Sequence, residues 1–127
     1  MTINSDKDIV AARQQGRAMA ASLGFSSGDA TLIATAISEL ARNILTYAGQ
    51  GEIAVKGVPG SNGVGILVVA SDHGPGIPDI RQALRDGFST SGSLGVGLPG
   101  VRRLMDEFEI SSQPGRGTTV AVKKWRQ

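Results

Sequence analysis

The chain contains no cysteine, so it can form neither a disulfide framework nor a thiolate metal site, which fits a reducing compartment. A single histidine, His73, excludes a multi-histidine metal centre. No apolar run reaches membrane-spanning length, and the opening Met1-Thr2-Ile3-Asn4-Ser5-Asp6 lacks the basic-then-apolar order of a secretory signal. Charge of one sign is also scarce: 13 Lys and Arg stand against 11 Asp and Glu, too small an excess to argue for nucleic acid. The basic residues are scattered except at Lys123-Lys124-Trp125-Arg126, which reads as a solvated tail. These absences lead to the expectation of a cytoplasmic protein with no membrane and no nucleic-acid partner. At 127 residues, the chain is expected to be a single domain over residues 1–127 with its own core.

What is present is an alternation of helical and strand patterns. Ser5 can cap a helix from about Asp6 to Leu23, with Asp6 and Asp8 near its positive dipole end and Gly24 ending it. Ile9, Ala12, Met19, Ala20 and Leu23 form its apolar stripe, and Gly16 marks a place of close packing. A second helix starts at Ser26 or Ser27 and ends near Gly49. Its Leu32, Ile33, Ala36, Ile37, Leu40, Ala41, Ile44 and Tyr47 recur at three and four positions and make a broad core-facing stripe. Glu52–Val58 and Val64–Ser71 read as strands around a loop at residues 59–63. A short helix is expected over Ile80–Arg85, a glycine-rich lid over Asp86–Gly97 with Phe88 as its anchor, and a helix from Leu98 to about Phe108 with Pro99 in its first turn. Glu109–Gln113 and Thr118–Trp125 alternate as a hairpin joined by Pro114-Gly115-Arg116-Gly117.

Four stretches carry candidate chemistry. Asp72 stands at the end of an apolar strand and is followed by Gly74, Gly76 and Ile77. A carboxylate there can accept a hydrogen bond from an exocyclic amine such as adenine's, with the glycines clearing space for a flat ring; the same residues are also ordinary turn chemistry. Glu39 and Asn43 share one helix face at i and i+4, so a carboxylate and an amide oxygen can reach the same bound group. Asn43 can offer a neutral oxygen to Mg²⁺, and Glu39 can orient or deprotonate an attacking hydroxyl; a solvated Glu39–Arg42 pair is the plainer alternative. Gly95, Val96, Gly97 and Leu98 lie just before or at a helix N-terminus, where free N–H groups favour phosphate. Thr118 follows the last glycine turn, where its hydroxyl can support a base bound at Asp72. His73 sits among turn residues and reads as part of the turn.

Gly95 to Gly100 matches G-x-G-x-x-G, but no hydrophobic strand precedes it and no ribose-binding acid follows at the required distance, so the dinucleotide reading fails. The partner motifs of a eukaryotic-type kinase and a Walker A loop are also missing. The ordered set Glu39-x-x-x-Asn43, Asp72-x-Gly74-x-Gly76, Gly95-x-Gly97-Leu98 and Gly115-x-Gly117-Thr118 resembles the nucleotide-binding boxes of the GHKL ATPase superfamily. The wording Ile37-Ser38-Glu39-Leu40-Ala41-Arg42-Asn43, Asp72-His73-Gly74-Pro75-Gly76-Ile77-Pro78-Asp79-Ile80, Gly87-Phe88-Ser89-Thr90-Ser91-Gly92 and Gly97-Leu98-Pro99-Gly100-Val101 is similar to the RsbT-type switch kinases of the bacterial stressosome.

The resemblance implies an α+β fold, a two-layer α/β sandwich of Bergerat type with a mixed, mostly antiparallel sheet and helices on one face. It implies ATP and Mg²⁺ as cofactors, Glu39 as catalytic base, Asn43 as magnesium ligand, Asp72 on the adenine amine and the Gly95–Gly97 turn on the phosphates. It also implies phosphorylation of serine or threonine in STAS-domain partners, with release from them freeing the kinase to activate an output protein such as a PP2C-type phosphatase. An anti-sigma factor of the same fold, which sequesters a sigma subunit and phosphorylates its antagonist, is the alternative. Because little chain precedes Asp8, the first edge strand of the family is expected to be reduced or missing.

Overall fold

The computed structural model of the protein describes residues 1–61, 63–76 and 97–126. In chain order these form β1 (Thr2–Ile3), α1 (Asp6–Ser22), α2 (Ser27–Tyr47), β2 (Gly51–Gly60), β3 (Gly63–Ser71), α3 (Gly97–Leu104), β4 (Glu107–Gln113) and β5 (Gly117–Trp125). The short helix expected at residues 80–85 and the lid at residues 86–96 lie outside the described residues.

Both long helices begin where their polar residues satisfy the free N–H groups of a first turn. Asp8 accepts from the backbone of Asn4 at 2.9 Å and of Ser5 at 3.2 Å, tying the entry of α1 to its own first turn. The Ser26 hydroxyl accepts from Asp29 N at 3.1 Å and starts α2. At the far end Gly49 turns to φ +79° and donates to Ile44 O at 3.0 Å, so α2 closes at Tyr47 through a glycine just past its end.

The sheet runs β1-β2-β3-β5-β4, and every described pairing is antiparallel. The period of two puts Ile53, Ile66, Val68, Ala70, Val120 and Val122 on one face, where they are buried with the apolar stripes of α1 and α2 in a single core. The helices therefore cover one face of the sheet. Rows such as Ala54–Val69–Ala121–Glu109 point the other way. Gly16 is the close contact between α1 and α2, since a Cβ there would run into the Ile37 side chain. Leu32, assigned to the core stripe, is instead exposed on the outer side of α2.

The first edge strand, expected to be reduced or missing, is present in reduced form as the two residues Thr2 and Ile3 paired with Glu52 and Gly51, and it is anchored because Ile3 is fully buried. Three other features differ from the pattern-based expectation, each for a local reason. The β2–β3 ladder continues to Gly60 opposite Gly63, so most of the loop expected at 59–63 is paired strand. Pro59 is tolerated there because β1 pairs only with the start of β2, leaving the outer side of Pro59 without a ladder partner. Helix α3 stops at Leu104, because Asp106 N bonds to Lys123 O at 2.9 Å and Phe108 and Ile110 then alternate inward as strand β4. The tail is pinned rather than solvated. Lys124 Nζ reaches Leu104 O at 3.0 Å, Trp125 bonds to Asp106 and Glu107, and Arg126 Nη1 donates to Leu23 O at 3.0 Å.

Leu40 is buried at the centre of α2, one residue from Glu39. Leu40→Ala is expected to destabilise the fold by about 2–5 kcal/mol in a denaturant titration, because the removed atoms leave a cavity that close-packed neighbours fill only partly.

Candidate functional site

The candidate site is built from two groups along α2: the end of β3 and the start of β5 meet beside its C-terminal end, where a Gly74 Cβ would touch Ala48, and the start of α3 meets its middle at Glu39. Ser71 pairs with Thr119, so the chain leaving β3 runs directly beside the start of β5. Asp72 N donates to Thr118 O at 3.0 Å, and Asp72 Oδ1 accepts from Gly74 N at 2.9 Å and from Thr118 N at 3.3 Å. One carboxylate oxygen is thus held by two backbone donors. Its neighbour Oδ2 takes no hydrogen bond from any described residue and is left as an acceptor. This is the chemistry required to receive an amine.

The glycines around Asp72 make this approach possible. A Cβ on Gly117, which sits at φ +120°, would overlap the Asp72 carbonyl. A Cβ on Gly51 would lie 2.5 Å from Ser71 O. The clearance expected for a ring at Gly74 and Gly76 is clearance for the chain itself. A Cβ at Gly74 would be 2.5 Å from Ala48 Cβ, and one at Gly76, at φ +85°, would be 2.8 Å from Gln113 O. Thr118 is buried, and its hydroxyl shares a 2.9 Å hydrogen bond with Ser112.

On α2, Glu39 is only 9% exposed, so it is not the solvated residue of the plainer alternative. Its Oε1 pairs with Arg42 Nη1 at 2.6 Å, and its Oε2 accepts from Gly97 N at 3.2 Å. Gly97 opens α3 at φ +65°, so a buried carboxylate already sits on the first N–H of that helix, the place where an anion is favoured. Asn43, one turn beyond Glu39, is half-buried, and its side chain bonds to no described residue. Leu98 is 4% exposed and part of the core, so its side chain anchors α3 and only its backbone faces the site. Ile77, Gly95 and Val96 lie outside the described residues.

The donor set suits Mg²⁺ in a particular way. Among the described residues no group of three His, Asp or Glu forms a protein cage. Mg²⁺ held chiefly by substrate phosphates and water needs only one or two protein oxygens, and the Asn43 amide, which bonds to no described residue, is of the type that could supply one. Pattern reading passed over Ser112, Gly51 and the bond from Glu39 to Gly97. Ser112 was legible by counting register back from the hairpin turn, which sets it opposite Thr118; the other two depend on packing.

The family model for the histidine kinase-, DNA gyrase B- and HSP90-like ATPases matches residues 28–127. The chain is 56% identical to the serine/threonine-protein kinase RsbT of Bacillus subtilis over 123 residues, 97% of this chain and 92% of that protein. It is 33% identical to an anti-sigma F factor of a Thermoanaerobacter species over 120 residues, 90% of this chain and 82% of that one. A mycobacterial sensor histidine kinase, MprB, shares the fold with a TM-score of 0.57 at 19% identity, covering 98% of this chain and 95% of that structure.

Asp72→Asn keeps an oxygen for the two backbone donors and can put an NH₂ where the free acceptor stood. ATP binding measured by calorimetry is expected to weaken by roughly 10- to 100-fold, the loss of a hydrogen bond to a charged acceptor. Wild-type affinity in that variant would show that Asp72 does not hold the nucleotide.

Proposed function

The chain belongs to the histidine kinase-, DNA gyrase B- and HSP90-like ATPase family, and we propose that it works there as a partner-switching kinase whose substrates are STAS-domain proteins. It is an ATP-binding serine/threonine protein kinase of the RsbT type. Phosphorylation of a STAS-domain partner weakens the complex, and the released kinase then binds and activates an output protein such as a PP2C-type phosphatase. The cytoplasm, where ATP and such partners are available, is the proposed location.

The observation that carries the mechanism is the contact of Glu39 with Gly97, which places the candidate base against the N-terminus of α3. Glu39 takes the proton of the partner's serine or threonine hydroxyl. The hydroxyl oxygen forms its bond to the γ-phosphorus as the bond to the bridging oxygen breaks, and ADP leaves with that electron pair. The N–H groups opening α3 stabilise the transferring charge, and the Asp72 Oδ2 acceptor orients the adenine. Asn43 is the proposed Mg²⁺ ligand, and the ion would supply charge neutralisation for the phosphates.

The anti-sigma reading has the support of relatives at 33% identity, against 56% for the kinase. Both readings share the transfer step but differ in what is held. Purified chain, Mg²⁺, γ-labelled ATP and a STAS-domain protein are expected to yield acid-stable label on serine or threonine. Stable capture of a sigma subunit would favour the alternative. Glu39→Gln is expected to retain ATP binding while transfer falls by about 10²- to 10⁴-fold, the usual worth of a general base. Unchanged transfer would dismiss Glu39 as that base.

A further inference from the structure

Glu39 is held by two tethers that differ in what nucleotide does to them. Oε1 rests on the Arg42 guanidinium at 2.6 Å, one turn along the same helix, and Oε2 rests on Gly97 N at 3.2 Å, across the site on α3. The Gly97 N–H belongs to the first turn of α3, where phosphate oxygens and the Glu39 carboxylate are rival anions for the same donor and the same dipole end. A phosphate that takes this N–H removes one tether and frees Oε2 to accept a proton. It also brings negative charge beside a buried carboxylate, which by itself would push the side chain away.

We propose that Arg42 is a positioning residue for phosphoryl transfer: it keeps Glu39 oriented and offsets its charge once nucleotide has displaced the carboxylate from Gly97. The proposal rests on the reading of Glu39 as base. Arg42 is suited to the task because it is on α2 itself, so its hold on Oε1 does not depend on α3. With 38% of its side chain exposed, it can keep this hold without a buried site of its own. Its planar guanidinium fixes direction as well as charge, which a lysine ammonium does not do equally well. The same arrangement makes base availability follow occupancy of the phosphate cradle. Without nucleotide, Oε2 is occupied by Gly97; with nucleotide, Oε2 is open and Arg42 alone holds the carboxylate.

The test compares Arg42→Gln, Arg42→Lys and Glu39→Gln for steady-state transfer to a STAS-domain protein and for ATP affinity by calorimetry. Arg42→Gln is expected to lower kcat by at least about tenfold, the cost of a misoriented reacting group, with ATP affinity and thermal midpoint near wild type. Arg42→Lys is expected to recover part of that loss. If Arg42→Gln retains wild-type kcat while Glu39→Gln does not, the proposal fails and the base assignment stands. Wild-type transfer by Glu39→Gln removes the base assignment and the proposal together. Loss of ATP affinity rather than kcat in Arg42→Gln would mean that Arg42 holds the nucleotide, which also overturns the proposal. A crystal structure with Mg²⁺ and a non-hydrolysable ATP analogue is expected to show Gly97 N on phosphate and Arg42 still on Glu39. Arg42 turned onto the phosphate would contradict it.

Discussion

The corner of the molecule depends on one carboxylate oxygen. Asp72 Oδ1 binds the N–H groups of Gly74 and Thr118, joining the turn after β3 to the start of β5 in a single clasp. The clasp closes only because Gly117 has no side chain, since any Cβ there would occupy the space of the Asp72 carbonyl. Gly115 N bonds to Pro75 O at 2.9 Å beside the clasp, and the second Asp72 oxygen is presented without a partner among the described residues. An acceptor held in place before its ligand arrives loses little freedom on binding.

Helix α2 serves the core and the site with opposite faces. Ile33, Ile37, Leu40 and Ile44 fill the core, and Glu39, Arg42 and Asn43 line the site one turn apart. The helix does not need to move for its polar face to be placed, because its position is set by packing against α1 and the sheet. Helix α3 reaches the site in the same way. Leu98 and Val101 are buried, so its first N–H is brought to Glu39 by hydrophobic contacts that involve no site chemistry. The buried Glu39 carboxylate has a donor on each of its oxygens, Arg42 Nη1 on Oε1 and Gly97 N on Oε2.

The relation of sequence to structure is uneven along the chain, for physical reasons. Long periodic segments with their own caps, such as α2 with Ser26, are dictated by neighbours three and four residues away and are legible as pattern. Segments whose limits are set by distant partners are not. Thr2 and Ile3 form a strand because Gly51 and Glu52 offer a free edge, and α3 ends at Leu104 because Lys123 captures the backbone of Asp106. The basic tail carries the composition of a solvated end, yet its lysine and arginine donate to carbonyls that terminate α3 and α1.

The amino-acid sequence by itself determined the order of elements, the α+β character, and the candidate residues of a nucleotide site. It did so because periodicity, capping and glycine placement act over short distances along the chain. Only the tertiary structure decided which donors those residues meet. Glu39 finds Gly97 across 58 residues, and Asp72 finds Thr118 across 46. Both partners are backbone N–H groups, which every residue except proline carries, so no side-chain pattern distinguishes them. Packing of α2 against α3 and pairing of β3 with β5 select them.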